Sequence, residues 1–119
     1  MKLILLSRDL MLASRTEGVA RQKGIAMVQA ANQIDAISAI EDENCQLLVV
    51  DLQFPGLDIE ALVIQARQSS KSSLRIVACG PHVHEQRLDT ARAAGCDRVV
   101  TRGQFDREAA HILGMTETT

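Results

Sequence analysis

Short, unbroken apolar runs recur along this chain, and amphipathic stretches separate them. The runs are Leu3-Ile4-Leu5-Leu6, Ile25-Ala26-Met27-Val28, Leu47-Leu48-Val49-Val50, Ile76-Val77-Ala78-Cys79 and Val99-Val100. None alternates with polar residues. Each therefore predicts a strand buried on both faces, as in a parallel sheet.

The intervening stretches predict helices. Asp9 caps a helix that reaches Lys23, with Leu12, Val19 and Ala20 on its inner face and Gly24 as its stop. Asn32 or Gln33 opens a second, which carries Ile37 and Ile40. It ends in Glu41-Asp42-Glu43-Asn44, the wrong charge for a helix C-terminus. Asp58 starts a third, with Ile59, Leu62, Val63 and Ala66 on one face, and Ser69-Ser70-Lys71-Ser72-Ser73 follows as a loop. A fourth runs from His84 to Ala94, presents Leu88 and Ala91, and stops at Gly95. The last spans Phe105 to Leu113 and presents Phe105, Ala109 and Ile112. Residues 1–114 read as one domain, and 115–119 as a frayed tail.

Strand and helix alternate five times. The expected class is α/β, a (βα)5 three-layer sandwich of flavodoxin-like architecture. Right-handed crossovers place helices on both faces of such a sheet. Ligands bind there at the carboxyl ends of the strands. The candidate site is the set of loops after Leu6, Ala30, Val50, Cys79 and Val100.

Composition narrows the function. A length of 119 residues suits one domain, and 46% hydrophobic residues suffice for a core. Net charge is −2, from 13 basic and 15 acidic residues spread along the chain. No basic cluster points to nucleic acid. Phe54 and Phe105 are the only aromatic residues, too few for a base-stacking platform. The apolar start is too short for a signal peptide or a membrane span, so no membrane partner is expected and the chain reads as cytoplasmic. Cys45, Cys79 and Cys96 are odd in number and lack C-x-x-C spacing. They read as small buried hydrophobes in a reducing compartment, without a disulfide or a zinc site.

The third run leads straight into a carboxylate: Val49-Val50-Asp51-Leu52-Gln53-Phe54-Pro55-Gly56-Leu57-Asp58. This segment resembles the third strand and following loop of bacterial response-regulator receiver domains. Ala93-Ala94-Gly95-Cys96-Asp97 resembles the segment before that family's fifth strand. The resemblance covers nearly the whole chain. It implies a sheet order of 2-1-3-4-5, a role in two-component signalling or a phosphorelay, and a phospho-acceptor-like Asp51. It also implies a partner surface on the fourth helix, fifth strand and fifth helix. That surface carries Arg87, Arg92, Arg98 and Arg107, suited to an acidic partner.

The departures from the family lie at the site itself. Ser7-Arg8, then Asp9, stand where the family has an acidic pair that helps hold Mg²⁺. Cys79 stands at or beside the place of a Ser or Thr that contacts the phosphoryl group. Arg102-Gly103 replace a Lys usually followed by Pro, and Val99 replaces a frequent aromatic. Mg²⁺ wants several hard oxygens, so one carboxylate beside an arginine is a poor site for it. An inward Arg8 would pair with Asp51 directly, and an outward one would lie in solvent. Asp51 and Arg102 also have plainer readings, as a loop former and a surface cation.

The turn after the fourth run, Gly80-Pro81-His82-Val83-His84-Glu85, supplies two imidazoles, His82 and His84, as possible loop ligands. With no third His and no carboxylate pair nearby, they make a thin donor set, and no metal is assigned. Dinucleotide, P-loop and G-x-S-x-G motifs are missing, so no enzyme activity is expected. A Cys79 nucleophile beside the histidines has no further support.

The expected function is a degenerate, stand-alone receiver-like module that contacts a signalling partner without phosphorylation and without a cofactor. Two alternatives stand beside it. One is an autophosphorylating response regulator that uses Asp51, with Asp9 and water holding Mg²⁺. The other is a binder of a small anion or nucleotide, with Arg8 and Arg102 as counter-charges.

Overall fold

Strands form where the apolar runs lie. They are β1 (Lys2–Leu6), β2 (Ala26–Ala30), β3 (Leu47–Asp51), β4 (Arg75–Gly80) and β5 (Arg98–Thr101). All neighbours pair in parallel, in the order β2-β1-β3-β4-β5. The helices are α1 (Leu10–Gln22), α2 (Gln33–Asp42), α3 (Ile59–Ser69), α4 (Glu85–Ala94) and α5 (Arg102–Leu113). This is a computed structural model, which describes residues 1–42, 44–70 and 73–114. The tail, Glu43 and part of the serine-rich loop lie outside the described residues.

Side chains alternate across a strand, so each apolar run feeds two cores. Leu3, Leu5, Leu47, Val49 and Val77 meet Leu12, Ala20, Phe105 and Ile112 of α1 and α5. On the other face Ile4, Leu6, Leu48, Val50 and Ile76 meet Ile40, Leu62, Ala66 and Leu88 of α2, α3 and α4. The double burial explains why the central runs carry no polar residue.

Strands β1, β3, β4 and β5 extend by a residue at one or both ends beyond their apolar runs, and two further boundaries differ from the sequence expectation. β2 starts at Ala26 and runs on to Ala30, because Ile25 belongs to the turn that closes α1. Gly24 takes φ +69° there, and the Ile25 amide bonds Ala20 O at 2.8 Å. β2 is also an edge strand, and Ala26 and Gln29 are exposed. The second difference is α5, which begins at Arg102 rather than Phe105. The Thr101 hydroxyl caps it, accepting from the Gln104 amide at 3.1 Å, so Arg102-Gly103 enter the helix.

Other expected ends hold. Asp9 and Asp58 cap α1 and α3 through their carboxylates. Gly95 ends α4 at φ +99°, a conformation only glycine adopts without strain.

Candidate functional site

Parallel pairing brings the ends of β1, β3, β4 and β5 to one edge, with Asp51 at its centre. Asp51 pairs with Cys79 in the β3–β4 register and is 3% exposed. Its Oδ1 accepts the Gln53 amide at 2.9 Å. Its Oδ2 accepts the Ser7 hydroxyl at 2.7 Å. Downstream, Pro55-Gly56 turn the chain, with Gly56 at φ +73° and the Leu57 amide bonded to Phe54 O at 3.2 Å. That is the chemistry of a type II turn, with Pro then Gly at its centre.

Ser7 is as fixed as Asp51. The Asp9 amide donates to its hydroxyl at 3.0 Å, and Gln29 Nε2 donates to its carbonyl at 2.9 Å. With that amide on its oxygen, the hydroxyl proton is committed to Asp51.

Both carboxylate oxygens of Asp9 are engaged too. Oδ1 accepts the Met11 and Leu12 amides at 2.9 and 3.1 Å, which caps α1. Oδ2 pairs with Arg102 Nη1 at 3.0 Å. The Leu12 amide and then the Arg102 guanidinium hold the Asp9 carboxyl below its usual range, against a smaller effect of burial. Burial is the largest single influence and would lower the Arg102 guanidinium, but the Asp9 carboxylate, with Cys79 and Asp51 adding to it, leaves it raised. Arg102 Nε lies buried without a partner among the described residues.

Arg8 does not turn inward to Asp51. It is exposed, and its guanidinium stands 5.5 Å from the centroid of the Phe54 ring. Of the two orientations left open by the sequence, the solvent one holds. The built-in cation on this edge is Arg102, and its partner is Asp9.

Cys79 is fully buried among Val49, Val77 and Phe105. Burial, then the nearby Asp51 charge, pushes its thiol up to about 12. A nucleophilic thiol needs the opposite shift. His82 is exposed, and His84 sits at the N-cap of α4 without a side-chain cap bond. Among the described residues no three His, Cys, Asp or Glu side chains converge on one point.

Arg8 and Arg102 open into different grooves. Arg8 shares one with Ser7, Leu10 and Gln29, and Arg102 shares another with Met11, Arg15 and Asp106. A cleft of about 420 Å³ lies between the β3–α3 loop and α4, with Phe54, Leu57, Gln86 and Arg87 on its walls. The four expected surface arginines are not equally free. Arg92 pairs with Asp89 at 2.8 Å and Arg98 with Glu108 at 3.2 Å.

Ser7 is the residue that sequence reasoning placed in the pocket without giving it a bond. The signal was present in the strand register. Leu3 pairs with Leu47 and Leu5 with Val49, so the next residue of that parity on each strand is Ser7 and Asp51.

Known proteins share this fold. The fold matches a two-component response regulator from Clostridium difficile with a TM-score of 0.81 and 18% identity, covering 98% of this chain and 95% of that one. It matches a response-regulator receiver domain from Bermanella marisrubri with a TM-score of 0.82 and 17% identity, over 98% of both chains. It also matches the receiver domain of a sensor histidine kinase from Pseudomonas aeruginosa, whose structure holds a magnesium ion in its active-site cleft. That TM-score is 0.82, at 17% identity, covering 99% of this chain and 98% of that one. In sequence, the chain is 27% identical over 94 residues to the sensor protein GacS of Pseudomonas syringae pv. syringae, which covers 76% of this chain and 10% of that protein. The chain thus spans about a tenth of the length of that curated relative. No protein-family model matches the chain. The fold is that of response-regulator receiver domains. No helix among the described residues is long and apolar enough to cross a membrane.

Proposed function

We propose that this chain is a receiver-like signalling module that works by protein–protein contact, without phosphorylation of Asp51 and without enzymatic activity of its own. The observation that carries this reading is the Ser7 hydroxyl bound to the Asp51 carboxylate at 2.7 Å.

The donor set at this edge does not fit a magnesium ion. Mg²⁺ binds hard oxygens in a near-octahedral shell and favours carboxylates. Asp51 is the only carboxylate inside a strand end at this edge among the described residues, and both its oxygens accept hydrogen bonds. Asp9, the second carboxylate at this edge, gives one oxygen to the α1 amides and the other to Arg102. Moving it to a metal would uncap a helix and break an ion pair. The orphaned Nε of Arg102 is a donor, which suits an anion and not a cation. The autophosphorylating alternative loses its metal ligand on this account. The anion-binding alternative loses the convergence of its two cations, since Arg8 and Arg102 face different grooves.

The test is incubation of the chain with acetyl phosphate, or with beryllofluoride, at millimolar Mg²⁺. Intact mass and amide shifts are expected to stay unchanged. A stoichiometric, Mg²⁺-dependent adduct that disappears in Asp51→Asn would overturn the reading.

A further inference from the structure

β2 is an edge strand whose only sheet neighbour is β1. The Ala26 amide bonds Met1 O at 3.1 Å, and the register then runs one residue to one, from Lys2↔Ala26 to Leu6↔Ala30. In such a ladder the residues that bond the neighbouring strand alternate with those that do not. Ala26, Val28 and Ala30 therefore turn their backbone groups to β1, and Met27 and Gln29 turn theirs outward. These outward amides and carbonyls meet no partner among the described residues.

Sheet edges are ordinarily protected by a charge, a proline or a bulge. β2 has none of these. It reads Ala26-Met27-Val28-Gln29-Ala30, no residue from Gly24 to Ile34 is charged, and the register contains no extra residue. Ala26 and Gln29 are exposed. Lys23, the nearest preceding charge, lies beside Gly114 at the end of α5 instead. The opposite edge differs. β5 opens with Arg98, whose guanidinium pairs with Glu108 at 3.2 Å.

We propose that β2 pairs antiparallel with β2 of a second copy of this chain, about a two-fold axis at Val28. The occupant follows from the strand's own symmetry. Met27 and Gln29 flank Val28 on either side, so each outward residue meets an outward residue of the other copy, and each Met27–Gln29 pair exchanges both its bonds. Val28 then faces Val28 in the non-hydrogen-bonded place, where side chains stand closest and two partly buried valines pack. Ala26 faces Ala30, and both are small. An uncharged strand brings no like charges together when it pairs with itself, whereas a charged foreign strand finds no counter-charge between Gly24 and Ile34. The product is a closed, isologous dimer with one continuous sheet. Two five-residue strands bury little surface, so the dimer is weak and concentration-dependent. This self-contact goes beyond the protein-contact reading above and does not depend on it.

The test follows the isotopically labelled full chain over a wide concentration range, by sedimentation velocity and by amide hydrogen exchange. The sedimentation coefficient should rise from monomer to dimer. Protection should rise with it at the Met27 and Gln29 amides and stay constant at Val28, whose amide already faces β1. Gln29→Pro removes an outward donor and leaves the β1 bonds in place. It should weaken association at least about tenfold. Gln29→Ala loses the same side-chain bond to the Ser7 carbonyl but keeps the amide, and should associate as the parent does. Ala26→Lys charges the edge at an exposed position and should weaken association even where Gln29→Pro does not fold. A parent that stays monomeric throughout would overturn the proposal. So would a dimer without new protection at Met27 and Gln29, or one that Gln29→Pro and Ala26→Lys leave as tight as the parent's. Species larger than a dimer would overturn the closed two-fold pairing. None of these results bears on phosphorylation of Asp51, so the proposed function stands or falls separately.

Discussion

The Ser7 hydroxyl donates to the Asp51 carboxylate at 2.7 Å, and the two residues occupy matching places one step past the paired ends of β1 and β3. Each is almost fully buried, at 2% and 3% exposure. A buried carboxylate needs its lone pairs satisfied. Here a neutral hydroxyl and a backbone amide do this within the chain. The carboxylate is therefore accommodated by hydrogen bonds, with no side-chain cation paired to it among the described residues.

Ser7→Ala should destabilise the fold by about 2 kcal/mol, within the range for leaving a buried charged acceptor unpaired. The Asp9 amide would lose its acceptor as well. Urea unfolding would show a lower midpoint with an unchanged slope. An unchanged midpoint would mean that water replaces the hydroxyl and that the site is wetter than its burial implies.

Asp9 separates into two roles by substitution. Asp9→Ala removes both the α1 cap and the Arg102 pair, and should cost about 1–2 kcal/mol. Asp9→Asn keeps a capping oxygen and loses the charge, so it should cost less than 1 kcal/mol, as expected for a partly exposed pair. The sign with pH follows from the lowered carboxyl. A carboxyl lowered by folding stabilises fully above its unfolded value of about 4, and the effect fades as pH falls through the folded value. Stability curves of the parent and Asp9→Asn should therefore converge below about pH 4. A constant gap down to pH 2 would count against an ionic contribution.

The cysteines should behave as packing residues. Cys45 and Cys79 are buried and Cys96 is partly exposed, all as free thiols. Burial pushes Cys96 up to about 11 and Cys79 up to about 12. In the native chain at pH 8, a thiol reagent should modify Cys96 slowly and Cys79 only on unfolding. A raised thiol stabilises fully below its unfolded value of about 8.5, and that contribution is lost as pH rises toward 12. Fast labelling of Cys79 at pH 8 would contradict this burial and reopen its nucleophilic reading.

The parts of the molecule legible in the sequence were those governed by local chemistry. Apolar runs gave the central strands, Asp9 and Asp58 their caps, and Gly95 its stop, because each depends on a few neighbouring residues. α5 is longer than its apolar pattern predicts, because Arg102-Gly103 carry no apolar signal and it is Thr101 that caps them into the helix. The direction of Arg8 was not legible. It depends on where Phe54 lies, and that is set by the Pro55-Gly56 turn more than forty residues away. The Asp9–Arg102 pair joins residues at the two ends of the chain and needs the β1–β3–β4–β5 order before it can be seen. The exposed Leu10 and Met11 were likewise hidden, since an apolar residue at a helix start reads the same whether it is covered or bare.

The strongest test of the site is to put carboxylates where Ser7 and Arg8 stand. In a Ser7→Asp, Arg8→Asp double variant, position 7 would face Asp51 at hydrogen-bonding distance. Two carboxylates at that range repel, or one takes up a proton, so the variant should be less stable than the parent in EDTA. The same pair, with Asp51, offers the several hard oxygens that Mg²⁺ requires. A metal that binds only the folded state raises stability in proportion to the logarithm of its concentration, by about 2.7 kcal/mol at one hundred times its Kd. The melting temperature of the double variant should therefore rise with millimolar MgCl₂ and fall back with EDTA, while the parent stays flat under both. Ca²⁺ and NaCl at matched ionic strength separate site binding from screening. A parent melting temperature that rises with Mg²⁺ as steeply as the variant's would show that Ser7 and Arg8 do not exclude the ion, and the Ser7–Asp51 bond would lose the role given to it here.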